Sequence, residues 1–277
     1  MLHLLKTEWL KIKKYPAFWL VMGVTALSYP GIVFMFYKMY SDLMKRQDTA
    51  GQLANAFLGN PFSMPEIWRT SAFASSVFVF IPAIVIIMLI TNEYTYKTSR
   101  QNIIDGWSRN NFMTGKVGDV LIITGIITLL YILMALLIGL NNTSDPAAQK
   151  WKLSYYIGLF ALQTFSQLSL AFLIGFLVRK AFLALGIFVF YFIIVEPIAV
   201  QFLKNYPDKT NPIRDIGRFF PIELSDRIIP PPAFIGRFDE KAYKAALDAV
   251  GMHVVYTILL TLLIWFICFR INQKRDL

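Results

Sequence analysis

The chain has 277 residues, of which 56% are apolar and 16% charged, with 24 phenylalanines, a mean hydropathy of +0.54 and a net charge of +10. A soluble domain is nearer about 45–50% apolar and about 25% charged, so this composition excludes a soluble globular protein and requires lipid as solvent. The basic residues sit in short clusters between apolar runs rather than along a soluble stripe, which argues against nucleic acid as a partner; a lone Cys268 and two distant histidines, His3 and His253, form no disulfide pair and no recognisable transition-metal motif.

Residues 2–14 read as a short interfacial helix, with Leu2, Leu5, Trp9 and Ile12 on one face and Lys6 and Lys13 snorkelling at its edge. A helix rises about 1.5 Å per residue and the hydrocarbon layer is about 30 Å thick, so a span needs roughly 20 apolar residues. Six runs qualify: 17–37, 71–91, 117–140, 153–178, 181–203 and 250–269. Backbone groups in lipid must be paired internally, so these runs are helices, and the fold class is an all-α integral membrane protein forming a single transmembrane domain over 1–277. The first run is read as a span rather than a cleaved leader, because its apolar character continues through Phe36. Tyr29-Pro30-Gly31 and Pro82 are expected to kink the first and second spans. Arg179-Lys180 alone separates spans four and five, which demands a tight hairpin. An outer loop covers 204–249, and Asp239–Val250 within it reads as a helix leading into span six.

Lysine and arginine set the orientation. With both termini in the cytoplasm, 51 inner residues carry 13 Lys/Arg against 4 Asp/Glu, whereas 91 outer residues carry 14 against 11. Basic density is higher inside, as the positive-inside rule requires.

Two polar features lie at membrane depth. Gln163, Thr164, Ser166, Gln167 and Ser169 give span four a polar middle, which fits either interhelical hydrogen bonding or the lining of a pathway. Glu196, followed by Pro197, falls toward the outer end of span five, where the proline is expected to break the helix and let the carboxylate reach water. A structural role and a place on a translocation path are both open to it. No His-rich, Asp-Asp or Glu-Glu set occurs in the spans to support an intramembrane enzyme.

The loop after span two runs from Asn92 through Arg109 and mixes charges with Ile103, Ile104 and Trp107. A short helix over Lys97–Asp105, stopped by Gly106, would present an apolar knob to the cytoplasm. Trp and Arg are common anchors of a docked helix; equally, Trp107 fits an interfacial aromatic belt.

Taken in order, several segments resemble the permease subunits of type-2 ABC exporters. Leu4–Lys14 is similar to that family's amphipathic elbow, and Glu93-Tyr94-Thr95-Tyr96-Lys97-Thr98 to its E-[YF]-x-x-[KG]-T pattern. Ser108-Arg109, Gly115-Lys116 at the opening of span three, and Phe220-Pro221 in the outer loop complete the likeness. The resemblance implies a six-span permease whose loop after span two is the coupling helix that docks on a separate ATPase. By it, Glu93, Lys97, Thr98, Arg100, Ile103, Ile104, Trp107 and Arg109 become the coupling residues, while Gln163, Ser166, Gln167 and Glu196 are candidates for the path. It further implies a second copy or a paralogous permease as partner, and a multi-pass place in a cell membrane, the bacterial inner membrane. The family often carries a re-entrant hairpin in the outer loop; here that loop is polar and proline-rich, and a full hairpin is not expected. No G-x-x-x-x-G-K-[ST] loop occurs, and Gly115-Lys116 is followed by Val117, so the chain is expected to need no cofactor and to leave hydrolysis to its partner. The rival reading is a membrane sensor or assembly factor that transports nothing.

Overall fold

Every regular element among the described residues of the computed structural model (2–45, 60–104, 106–143, 149–206, 212–232 and 239–274) is helical. The elbow α1 (Leu2–Lys13) turns at Tyr15 into the first span, α2 (Pro16–Met44), which passes Pro30 as one continuous helix. Span two is broken into α3 (Ile67–Ser76) and α4 (Phe80–Thr95), which meet at 50°. The break lies just before Pro82, whose missing N–H leaves the Phe78 carbonyl without its α-helical donor; Ile81 N donates to that oxygen instead, at 3.0 Å.

Beyond the short α5 (Thr98–Ile104) come span three, α6 (Arg109–Asn141), and span four, α7 (Tyr156–Val178). Span five starts as α8 (Ala181–Phe190), widens into a π-helical turn at Tyr191–Val195, and continues as α9 (Glu196–Lys204). A 3-10 helix (Pro212–Phe219) and the six-residue α10 (Pro221–Asp226) precede the last span, α11 (Glu240–Lys274). The expected lead-in helix is the first part of α11: the Asp239 carboxylate accepts from Ala242 N at 2.9 Å and caps it. Five helices are long and apolar enough to cross a membrane, and the bent pair α3–α4 makes six.

The hairpin between spans four and five takes its expected form. Arg179 adopts φ +58° and Lys180 is extended, so two residues reverse the chain. The Arg179 guanidinium lies 4.8 Å from the Tyr94 ring centroid, which ties the hairpin to the end of span two.

Span four is the axis of the bundle, packed against α4, α6 and α11. Its approach to α4 is closest at Gly175, where a Cβ would come within 2.7 Å of Ile90 Cγ2 and 3.3 Å of Ile87 Cα. Span five is the opposite case. Phe182, Ile198 and Phe202 on it are exposed, as lipid-facing or partner-facing side chains are.

The outer loop folds inward. The Asp226 carboxylate accepts from Gln163 Nε2 at 2.6 Å and from Gln167 Nε2 at 2.7 Å. Those glutamines lie seven and eleven residues along α7, so α10 reaches roughly 10–17 Å down that helix at 1.5 Å per residue. Among the described residues of this loop, α10 is the helix held against α7 and α9. Its polar residues do not prevent entry, because α7 and α9 supply their partners.

Candidate functional site: a buried charge cluster beneath the loop after span two

The sequence places charges on three segments that the fold then brings together. Lys116 opens span three at a depth where its ammonium cannot stay hydrated, and three carboxylates converge on it. Its Nζ is 2.5 Å from Glu8 Oε2 of the elbow, 2.9 Å from Glu93 Oε1 at the end of span two, and 3.1 Å from Asp119 Oδ2 one turn along α6. Lys11 closes the set at 3.0 Å from Glu8 Oε1 and 3.3 Å from Glu93 Oε1. Glu8, Glu93, Lys116 and Asp119 are all buried, while Lys11 keeps one side toward solvent.

Burial alone would raise the Glu8 carboxyl, but the ammonium groups of Lys116 and Lys11 outweigh it and hold Glu8 below the usual carboxylate range. Such a cluster contributes little net stability relative to an apolar core of the same shape, yet removing one member strands a buried charge. Its main effect is geometric. It fixes the elbow, the end of span two and the start of span three against one another.

The elbow therefore does more than rest on lipid through an apolar face. Glu8 and Ile12, on adjacent turns, are both almost wholly buried against the bundle. Glu8 lies against Gly115, where a Cβ would stand 3.4 Å from Glu8 Cγ, an ordinary contact distance.

The loop after span two grows out of this cluster. Glu93 Oε2 accepts from Thr98 Oγ1 at 2.6 Å, so one carboxylate serves both the buried lysines and the first residue of α5. Between them Lys97 takes φ +55°, a left-handed conformation that glycine adopts without strain. Gly106 at φ +93° ends α5: its N–H donates to Ile103 O at 3.0 Å and Trp107 N to Asn102 O at 3.0 Å, the double closure of a Schellman cap.

The residues that the resemblance marked for coupling then separate into groups. Ile104 is 77% exposed and Tyr96 is 73% exposed; Lys97 is exposed and Ile103 half-buried. Trp107 is half-buried, with Lys11 Nζ 5.5 Å from its ring centroid, so it belongs to the elbow contact. Arg109 turns away from the loop and donates to Gln273 O of α11 at 2.6 Å, while Ser108 caps α6 by accepting from Asn111 N at 3.1 Å. Asp105 and the Arg100 side chain lie outside the described residues.

The second candidate set meets at α10. Glu196 does not reach water: it is buried, and its Oε1 accepts from Ile222 N at 2.8 Å and Glu223 N at 2.6 Å, capping α10 from span five. Pro197 does not break the helix; the π-helical turn before it absorbs the missing bond. Gln163 and Gln167 hold the other end of α10, and Ser166 is buried on the same helix. Ser169, one turn further, accepts from Trp265 Nε1 of α11 at 3.0 Å. All four candidates are buried within the protomer, in or beside interhelical contacts.

The sequence reading missed Glu8, Lys11, Lys116 and Asp119 as a set. One signal was available: Asp119 is an ionisable residue inside the third apolar run, with Lys116 three residues before it.

An elbow and a short helix between spans two and three are what the type-2 likeness implied, and an independent comparison decides the family. The sequence profile described as ABC-2 family transporter protein matches residues 4–195. The chain belongs to the ABC-2 transporter family. It is thus a multi-pass membrane permease of an ABC transporter, and as a membrane subunit of that family it is not itself the catalytic chain. No curated protein matches the chain.

Proposed function

We propose that this ABC-2 permease is driven by a separate ATPase subunit that docks on α5, and that it exports its substrate from the cell, in a bacterial inner membrane. The observation that carries the reading is the seat of α5: a capped helix with Ile104 and Tyr96 bare, anchored through Thr98 and Glu93 to the buried cluster. A push on α5 is carried by Glu93 to Lys116, and from there to the elbow and span three together. The nucleotide phosphates are bound by the partner, since no phosphate loop occurs in this chain. A second copy or a paralogous permease completes the transporter, and the exposed side of span five supports that reading.

Replacing Ile104 with Asp tests the docking. The permease should stay folded and membrane-inserted, because Ile104 packs on nothing, while its ATPase partner is lost in co-purification and ATP-dependent export in vesicles stops. Retention of the partner by Ile104→Asp together with Tyr96→Asp would place docking elsewhere. The purified permease alone should hydrolyse no ATP above background.

A further inference from the structure

The charges in the cytoplasmic cluster do not balance. Glu8 and Lys11 face it from α1, Glu93 from α4, and Lys116 and Asp119 from α6; these are the charged groups that meet there among the described residues. Among the described side chains of α5, the neutral Thr98 hydroxyl is the one that meets the cluster. The aromatic neighbours, Trp107 over Lys11 and Phe112 against Lys116 at 5.4 Å, carry no formal charge. Three carboxyls thus stand against two ammonium groups, in a site where Asp119 and Glu8 are 4% and 1% exposed.

The excess is local. Glu8 Oε2 and Asp119 Oδ2 lie on the same Lys116 Nζ, at 2.5 and 3.1 Å, so two carboxyl groups crowd one ammonium and a proton between them relieves that crowding. Asp119 Oδ1 is buried and receives no hydrogen bond, as expected of the uncharged oxygen of a carboxylic acid and not of a carboxylate. Glu93 has no such vacancy, since its oxygens take Lys11, Lys116 and Thr98.

We propose that the cluster is a proton-binding site, in which one proton shared between the Asp119 and Glu8 carboxyls brings the set of five side chains to neutrality. The ligand is the proton itself, held where the elbow meets span three. One carboxyl is then a donor, and the elbow is fastened to α6 by a carboxyl–carboxyl hydrogen bond as well as by Lys116. Parting α1 from α6 removes the second acceptor, so the site binds its proton more tightly with the elbow seated than with it displaced. This inference does not depend on where the ATPase docks, and either can fail alone.

Infrared spectroscopy of the purified full-length permease in lipid nanodiscs at pH 7 tests it. A protonated carboxyl absorbs apart from ionised carboxylates and shifts in D2O. The background should carry Asp226→Asn and Glu196→Gln, which removes two further carboxyls at membrane depth and leaves Glu93 ion-paired to Lys11 and Lys116. A protonated-carboxyl band is expected there, lost in Asp119→Asn, which keeps the shape of the acid. If Asp119→Asn does not fold, 13C-aspartate and 13C-glutamate labelling of the background protein reads the same band without it; a shift with either label supports the shared proton. Absence of the band at pH 7, or a band unmoved by Asp119→Asn and by both labels, overturns the proposal.

Discussion

Lys116 is the residue on which three segments depend, and its substitution separates a structural cluster from an incidental one. Lys116→Met keeps most of the side-chain volume but leaves Glu8 and Glu93 with Lys11 alone. Breaking a buried pair costs about 3–5 kcal/mol, so unfolding in detergent should occur at a clearly lower temperature. The acid limb follows from Glu8. Its folded-state value lies below the ordinary 4.5, so the stability it contributes is complete above that pH and is lost as pH falls through the lower, folded value. The melting temperature of the wild type should therefore hold from neutrality to about pH 4.5 and drop below it. In Glu8→Gln that part of the drop should be absent, although the protein starts less stable.

Lys97 gives an opposite sign. A side chain in the left-handed region costs about 1–2 kcal/mol, so Lys97→Gly should raise the melting temperature slightly, and Lys97→Val, β-branched at positive φ, should lower it. A fall on Lys97→Gly would mean that the lysine makes a contact worth more than its strain.

Among the elements, α10 depends most on others for its stability. Six residues do not hold a helix alone; Glu196 ties its start and the Gln163–Gln167 pair its end. Glu196→Ala strands two buried N–H groups and should cost about 1–3 kcal/mol each by desolvation. Hydrogen exchange over 221–229 should rise in this variant while α7 stays protected. Unchanged exchange would show that α10 is held by its apolar contacts.

The six spans, the capped loop helix and the tight hairpin were legible because each is a local signal: an apolar run of membrane length, a Gly stop, two residues between two spans. Glu196 was legible as an anomaly but not as a cap, since its partners Ile222 and Glu223 lie 26 and 27 positions later and offer only backbone. The charge cluster was hidden for a similar reason. Glu8, Glu93 and Lys116 each read as an ordinary flank of a membrane segment, and only the packing of α1 and α4 against α6 brings both carboxylates within 3 Å of the Lys116 ammonium. Spacing along one helix, as between Lys116 and Asp119, is visible in a sequence; convergence across helices is not.

For the whole molecule, orientation rests on the basic residues, and two exposed lysines at opposite ends of the bundle check it. In a Cys268→Ser background, a cysteine at Lys152 should react with a membrane-impermeant reagent in intact cells, and one at Lys180 only after permeabilisation. The reverse pattern would invert the topology. Tight packing is concentrated along span four, so Gly175→Leu should perturb the entire bundle: Ile87 offers backbone there and cannot yield, and overpacking costs about 1–3 kcal/mol.

The 50° angle in span two makes it a crank. Its outer arm, α3, is ten residues or about 15 Å long, so its far end stands roughly 11 Å off the axis of α4. A twist of α4 by about 10°, applied at Glu93, would sweep that end sideways by about 2 Å, where a straight rod would only spin in place. Trp68 and Arg69 ride near the tip, and Arg69 is bonded to Tyr243 at the outer end of span six. On the proposed docking at α5, torque entering there should leave as lateral displacement at the far end of span two. Spin labels near positions 69 and 243 should report that swing on nucleotide binding by the partner, and straightening the span at Pro82 should abolish it.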